Sequence, residues 1–464
     1  MVTPRVVPRA EHPISRRNID PDALKVLNRL RQFGYVAYLV GGSVRDLLLE
    51  RRPKDFDIGT SAHPNEIKRA FRNCWIVGRR FRLAHVKFGQ KTIEVATFRR
   101  QISEADLDPG LAPDAPVAVI DVVAAADDHP REAAGPPPGV SGRDHLIHRD
   151  NVFGSPEEDA FRRDFTVNAL FYDIATFSII DYVGGLDDLR ARVIRCIGDP
   201  DIRFREDPVR MLRAIVLAAR LDFTVDPPIV DSIRRHASEI ARSAPARLLD
   251  ELYKILRSGA SERAFRELAD VGLLQWMAPE LLAIRSDALW QSLAALDAYR
   301  RRFDAPPDRL TNAVLLGSLL VPRGFTGRRP PLRDADGAAS GEERPEEAGA
   351  PKRREWRDPK ATLGILPLAR RDMERLGQVL GLQRKLKDLE AGPRAKRTLM
   401  HRGPFHEALT WLEIHGGSPE AVEHWRHLAE SSGAPPAGAA EERLALRRRR
   451  GRRRGRRRPP VGIE

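Results

Sequence analysis

Cysteine is nearly absent from this 464-residue chain: Cys74 and Cys196 stand far apart, with no Cys-x-x-Cys or Cys/His spacing around either. That excludes a disulfide framework and a thiolate zinc site, and leaves both thiols as small buried hydrophobes. No run of about twenty apolar residues occurs, so the sequence offers no helix to span a bilayer. Met1 to His12 lacks the hydrophobic core of a secretory signal, and a cytoplasmic protein is expected. No fixed-period repeat is present, which excludes solenoids and propellers.

Positive charge is plentiful but unevenly placed. Of the formal net charge of +14, ten units fall in residues 447–458, as Arg447, Arg448, Arg449, Arg450, Arg452, Arg453, Arg454, Arg456, Arg457 and Arg458. No acid interrupts them, and the other 452 residues carry only +4. Like charges at this density do not pack, while guanidinium forks suit phosphates, so a disordered tail that contacts RNA or another polyanion is expected.

The richest stretch is Gly41-Gly42-Ser43-Val44-Arg45-Asp46 followed by Lys54-Asp55-Phe56-Asp57. Tyr35 to Val40 reads as a buried strand, the glycines permit a turn close enough for a phosphate to meet the backbone, and Val44 to Glu50 reads as a helix. Residues i and i+2 of a strand share a face, which sets Asp55 beside Asp57 and turns Phe56 into the core. Carboxylates that close repel, and divalent cations bridging them to nucleotide phosphates relieve the repulsion. Alone, Gly-Gly is a turn and Asp-x-Asp a solvated strand end; their order along the chain points to chemistry.

Three more segments carry chemistry-bearing residues. Alternation in Thr92-Ile93-Glu94-Val95-Ala96-Thr97 puts Thr92, Glu94 and Ala96 on one strand face, where Glu94 is either a surface acid or part of a site. Glu157 to Leu170 reads as an amphipathic helix with i,i+4 ion pairs. Further on, Asp207 reads as an N-cap with Pro208 at the first helical position, and Arg210 and Arg213 follow at intervals of three on the same side. An acceptor carboxylate beside a donor guanidinium matches the Watson–Crick edge of adenine; a cap with an ion pair accounts for the same residues.

Gly-Gly-x-Val-Arg-Asp, the Asp-x-Asp and the string Arg162-Arg163-Asp164-Phe165-Thr166-Val167-Asn168-Ala169-Leu170 resemble the class II nucleotidyltransferases with a polymerase-β-like head, a family that holds CCA-adding enzymes and bacterial poly(A) polymerase I. The resemblance covers about residues 36–100 and 148–285. It implies an α+β fold, with an N-terminal head followed by an all-α neck, body and tail. It implies Asp55, Asp57 and Asp164 as catalytic residues, and Asp55, Asp57 and Glu94 as ligands of a two-metal Mg²⁺ site, with Mn²⁺ as an alternative. Gly41, Gly42, Arg45, Arg163 and Asn168 would contact the nucleotide, while Asp207, Arg210 and Arg213 would select the incoming base without a nucleic-acid template. Gly78-Arg79-Arg80-Phe81-Arg82-Leu83 is similar to the poly(A) polymerase branch, which implies transfer of AMP from ATP to single-stranded RNA 3′ ends with release of pyrophosphate. CCA addition to tRNA is the alternative, and a non-catalytic RNA-binding protein on the same scaffold a distant one.

The expected organisation is a mobile leader at 1–20, a head at 21–185, a helical neck at 186–260, a helical RNA-binding body at 261–430 and a disordered tail at 431–464. Residues 101–147, with nine acids against two arginines, form an acidic disordered insertion in the head, and 328–355 a low-complexity insertion in the body.

Overall fold

The computed structural model describes residues 3–78, 82–100, 152–284, 286–327 and 362–431. The two expected insertions and the ten tail arginines lie outside the described residues. The chain divides into two compact units between Asp207 and Pro208. Residues 186–207, expected in the neck, therefore belong with the head.

The first unit is built on one eight-stranded mixed sheet. Its strands are β1 (Arg5–Val7), β2 (Ala37–Val40), β3 (Ile58–Thr60), β4 (Cys74–Val77), β5 (Leu83–Phe88), β6 (Lys91–Thr97), β7 (Leu170–Asp173) and β8 (Ser178–Asp181), in the order β1-β8-β7-β2-β3-β6-β5-β4. Only β3 and β6 run parallel among the registered pairs, with Ile58 opposite Val95 and Thr60 opposite Thr97. Its helices are α1 (Pro21–Gln32), α2 (Gly42–Leu48), α3 (Pro64–Ala70), α4 (Pro156–Phe161), α5 (Gly185–Ala191) and α6 (Pro200–Glu206).

Local chemistry explains these boundaries. The Asp20 side chain accepts from the N–H groups of Asp22 and Ala23, Pro21 opens α1, and Ala23, Val26, Leu27 and Leu30 form its buried stripe. Gly89 and Gln90 close the β5–β6 hairpin in two residues, with Gly89 at φ +61°. Beneath the site, Val40, Phe98, Ala160, Ala169, Phe171 and Ile197 form an apolar cluster.

Two expectations are corrected here. Residues 5–7 are an edge strand and not part of a mobile leader: Arg5 pairs with Asp181 and Val7 with Ile179, while Ile14 and Ile19 are buried. His12 Nε2 meets the Phe177 carbonyl at 2.9 Å and Arg16 donates to the Ile174 carbonyl at 2.9 Å, so the segment is fastened to the β7–β8 hairpin. The helix expected over 157–170 stops at Phe161, gives way to a 3₁₀ turn at Thr166–Asn168, and continues as β7.

The second unit is helical apart from a two-residue extended piece, Thr224–Val225. Its longer helices are α7 (Val209–Leu221) and those at Pro227–His236, Pro245–Leu256, Ser261–Asp270, Ala288–Arg300, Arg370–Lys387 and Pro419–Ser431. Asn312–Leu320 and Phe405–His415, whose buried residues are mainly apolar, complete its core. No described helix is long and apolar enough to cross a membrane.

Candidate active site

The parallel pairing of β3 and β6 assembles the acidic centre. Ile58 stands opposite Val95, so continuing the register by one residue sets Asp57 level with Glu94 on the adjacent strand. Asp57 lies just before β3 and extends its ladder, since its carbonyl accepts from Val40 N at 3.1 Å. In β6, Ile93, Val95 and Thr97 are buried while Glu94 is 51% exposed, which bears out the alternation. Asp55 is two residues upstream of Asp57; its side chain is 71% exposed, with Lys54 Nζ at 3.6 Å. Phe56, expected to turn into the core from a strand, is only half-buried, because β3 begins at Ile58 and residues 55–57 precede it.

Asp57 registers this crowding electrostatically. Its side chain keeps an open outer side, yet the surrounding protein strips part of its hydration, and the charges of Glu94 and Asp55 oppose its ionisation further. Together they push its carboxyl from 3.8 up to about 6, with Arg163 pulling the other way. The folded state thus holds a proton that the unfolded state releases, and ionisation as pH rises from 3.8 to about 6 removes stability. A carbon-detected NMR titration of the metal-free protein should show Asp57 titrating near 6 and Glu94→Gln lowering that midpoint; titration near 4 in both would contradict the clustering.

The glycine turn borders the acids. Gly41 sits at φ +71°, ψ −132°, so the backbone calls for glycine, and a Cβ there would fall 2.9 Å from Arg163 Nη1 and displace that guanidinium. Arg163 donates to the Asn168 carbonyl at 2.9 Å and stands 5.4 Å over the Phe171 ring. Arg45, expected at the nucleotide, is 3% exposed: it is bonded to Asp46 and to the Asn168 side-chain oxygen, and so fastens α2 to the 3₁₀ turn. Gly42 opens α2, and Asp164 lies between α4 and the 3₁₀ turn, its carbonyl taking Ile197 N at 3.1 Å.

Two residues outside the sequence reading hold this arm in place. Asp159, buried in α4, accepts from Arg162 Nε at 2.9 Å, from Arg163 Nη2 at 2.9 Å and from the backbone N of Arg99 at 3.2 Å. Burial alone would raise its pKa, but the guanidiniums of Arg163 and Arg162 outweigh it and hold the carboxyl below the ordinary range. Arg203, 4% exposed in α6, donates to the carbonyls of Arg162 at 2.6 Å and Arg163 at 2.8 Å. An i,i+3 and i,i+4 pairing signal marked Asp159 in the sequence; for Arg203 the local signal is the i,i+3 partner Glu206, at 3.0 Å, while the two carbonyls it reaches lie about forty residues away.

The expected base-reading trio is placed differently from its sequence reading. Asp207 is not an N-cap but the C-cap of α6, at φ −146°, ψ 95°, with its N–H bonded to the Arg203 carbonyl at 3.2 Å. Pro208 stands at the N-cap of α7 rather than at its first helical position, although its angles, φ −60° and ψ −21°, are already helical. Arg210 is buried and Arg213 exposed on α7. Among the described residues, no three His, Cys, Asp or Glu side chains are arranged to hold a metal ion.

A mixed sheet bearing paired acids beside a glycine turn and an arginine arm, followed by a helical unit, defines a nucleotidyltransferase head. Residues 37–195 match the family described as poly A polymerase head domain, and 222–284 match the probable RNA and SrmB-binding site of polymerase A. Over these residues the chain is similar to the poly(A) polymerase family of nucleotidyltransferases, and CCA-adding enzymes are among the proteins it resembles. Poly(A) polymerase I of Salmonella typhi is 45% identical over 276 residues, 60% of this chain and 54% of that protein. A CCA-adding enzyme of Lactobacillus johnsonii is 34% identical over 251 residues, 54% of each. The chain thus spans about half the length of the curated relatives it matches. Among solved structures, the Bacillus stearothermophilus CCA-adding enzyme in complex with CTP has a TM-score of 0.57 at 25% identity, covering 89% of this chain and 83% of that one.

Proposed function

We propose that this protein adds AMP from ATP to the 3′ ends of RNA without a template, releasing pyrophosphate, in the cytoplasm. The observation that carries the reading is the register of β3 on β6, which levels Asp57 with Glu94 next to a glycine turn flanked by Arg163. The 45% identity to a poly(A) polymerase, against 34% to a CCA-adding enzyme, supports AMP as the repeated unit.

Asp55, Asp57 and Glu94 fit a hard divalent cation such as Mg²⁺ or Mn²⁺: they are oxygen donors whose mutual repulsion is relieved by positive charge. Mg²⁺ commonly takes one or two carboxylates and completes its shell with phosphate oxygens and water, so a prearranged cage is not required. When bound, such a cation polarises phosphate oxygens and lowers the pKa of an attacking hydroxyl. The chain's own residues do the rest. Gly41 and Gly42 leave room for phosphates at the backbone, Arg163 offsets their charge, and Arg45 with Asn168 keeps the turn rigid. Asp164 supports the acidic centre from the adjoining arm. The arginines of 447–458 retain RNA by displacing counterions.

Asp207, Arg210 and Arg213 would select the base. Leaving a base-reading partner unpaired costs about 1–3 kcal/mol, so Asp207→Ala or Arg210→Ala should erode the preference for ATP over CTP by roughly tenfold or more in kcat/KM. An unchanged ratio would remove them from base recognition. The similarity to a CCA-adding enzyme crystallised with CTP supports a second reading, addition of CCA to tRNA. Purified protein with Mg²⁺ should extend a generic RNA with ATP alone; extension confined to tRNA lacking its CCA end, and dependent on CTP, would favour the second.

A further inference from the structure

The face of the head sheet that carries the acids continues to the sheet edge. Directly opposed residues in paired strands share a face. Trp75 on β4 stands opposite His85 on β5, and His85 opposite Glu94 on β6, whose parallel register leads to Asp57. These four residues form one row across the sheet. At about 4.8 Å per strand, Trp75 lies about 10 Å from Glu94. His85 Nε2 is 3.7 Å from Glu94 Oε1, which ties the row together.

Trp75 is 52% exposed on the outermost strand, next to Val77, which is 46% exposed. Lys87 Nζ lies 5.1 Å from the indole centroid. An exposed indole with an ammonium poised over its ring supplies both contacts that a nucleotide unit of single-stranded RNA uses, once the flexible lysine swings from ring to phosphate: base on ring, phosphate on ammonium. The sheet order sharpens the assignment. Gly41 follows β2 on one side of the acids, and Trp75 and Lys87 lie on β4 and β5 on the other. Donor phosphates at the glycine turn and an acceptor strand at the indole would then meet over Asp57 and Glu94 from opposite sides. A protein strand added to β4 would gain only four residues of ladder and would meet the Lys87 charge.

We propose that Trp75 and Lys87 form a subsite for a nucleotide close to the 3′ end of the RNA acceptor, the base stacking on the indole and the phosphate pairing with the ammonium. The assignment rests on the reading of the protein as an enzyme that extends RNA. The test uses full-length protein and a short unstructured oligoribonucleotide, in two arms: binding by fluorescence anisotropy without ATP, and extension with ATP and Mg²⁺. Trp75→Ala should raise both Kd and KM for the RNA about tenfold while leaving KM for ATP within twofold, and Trp75→Phe should recover most of the loss. Lys87→Ala should weaken binding and lessen the slope of log K against log salt by about 0.7, whereas Trp75→Ala should leave that slope unchanged. Unchanged RNA affinity in Trp75→Ala would overturn the subsite. A change of oligomeric state with unchanged RNA affinity would likewise overturn it and make the β4 edge an interface between copies. If wild-type protein extended no RNA, the enzymatic reading would fail in the second arm while the first still decided whether Trp75 binds RNA.

Discussion

Replacing Asp55 or Asp57 by alanine should abolish nucleotide addition and leave the head folded. Each change removes an oxygen donor from the acidic centre, and stabilising the charge of a nucleotidyl-transfer transition state is worth several kcal/mol, roughly a thousandfold or more in rate. Neither carboxylate supports the fold. Asp55 is 71% exposed, and Asp57 above pH of about 6 is held ionised against Glu94 and Asp55, so its removal relieves repulsion. Thermal unfolding should therefore show Asp57→Ala as stable as wild type or more so at neutral pH. More than a tenth of wild-type turnover in either variant would move the chemistry elsewhere.

Asp159→Ala should have the opposite signature, a loss of stability first and of activity with it. Its side chain is 3% exposed and bonds two guanidiniums and a backbone N–H, so alanine leaves two partly buried guanidiniums without this counterpart. Removing one partner of a buried ion pair costs about 3–5 kcal/mol. The same change frees Arg163, which stands against Gly41 and the Asn168 carbonyl, so any protein that folds should show a raised KM for ATP. Because the native carboxyl is held below its usual range, the stability it contributes is present above the ordinary aspartate value and fades as pH falls through the lowered one. Urea unfolding at pH 7 and at successively lower pH measures both; a variant within 1 kcal/mol of wild type at pH 7 would show that Asp159 does not hold the arm.

Much of this site is legible in the sequence because its parts are local. The strand before Gly41, the glycine turn and the alternation around Glu94 follow from periods of two and from backbone freedom. Even His85 beside Glu94 is encoded, since a two-residue loop at Gly89-Gln90 fixes which residues of β5 and β6 face each other. The grip of Arg203 on the Arg162 and Arg163 carbonyls is not, because those acceptors, unlike its i,i+3 partner Glu206, are placed only by the fold. The docking of residues 5–19 was hidden for the same reason: a polar, proline-containing segment reads as mobile until the β7–β8 hairpin exists to receive it. Asn312–Leu320 lacks an amphipathic period because Ala313 through Leu320 are all buried. The cap of α6 was misread because Asp-Pro is the usual signature of a helix start, while here one helix ends at Asp207 just as the next begins.

The most direct test of nucleotidyl transfer at this centre counts pyrophosphate against AMP incorporated into an unstructured RNA that lacks a CCA end, with ATP and Mg²⁺. One pyrophosphate per AMP, with extension continuing beyond three nucleotides and lost in Asp57→Asn, is the expected result. ATP cleavage without incorporation, or incorporation that survives in Asp57→Asn, would contradict the account.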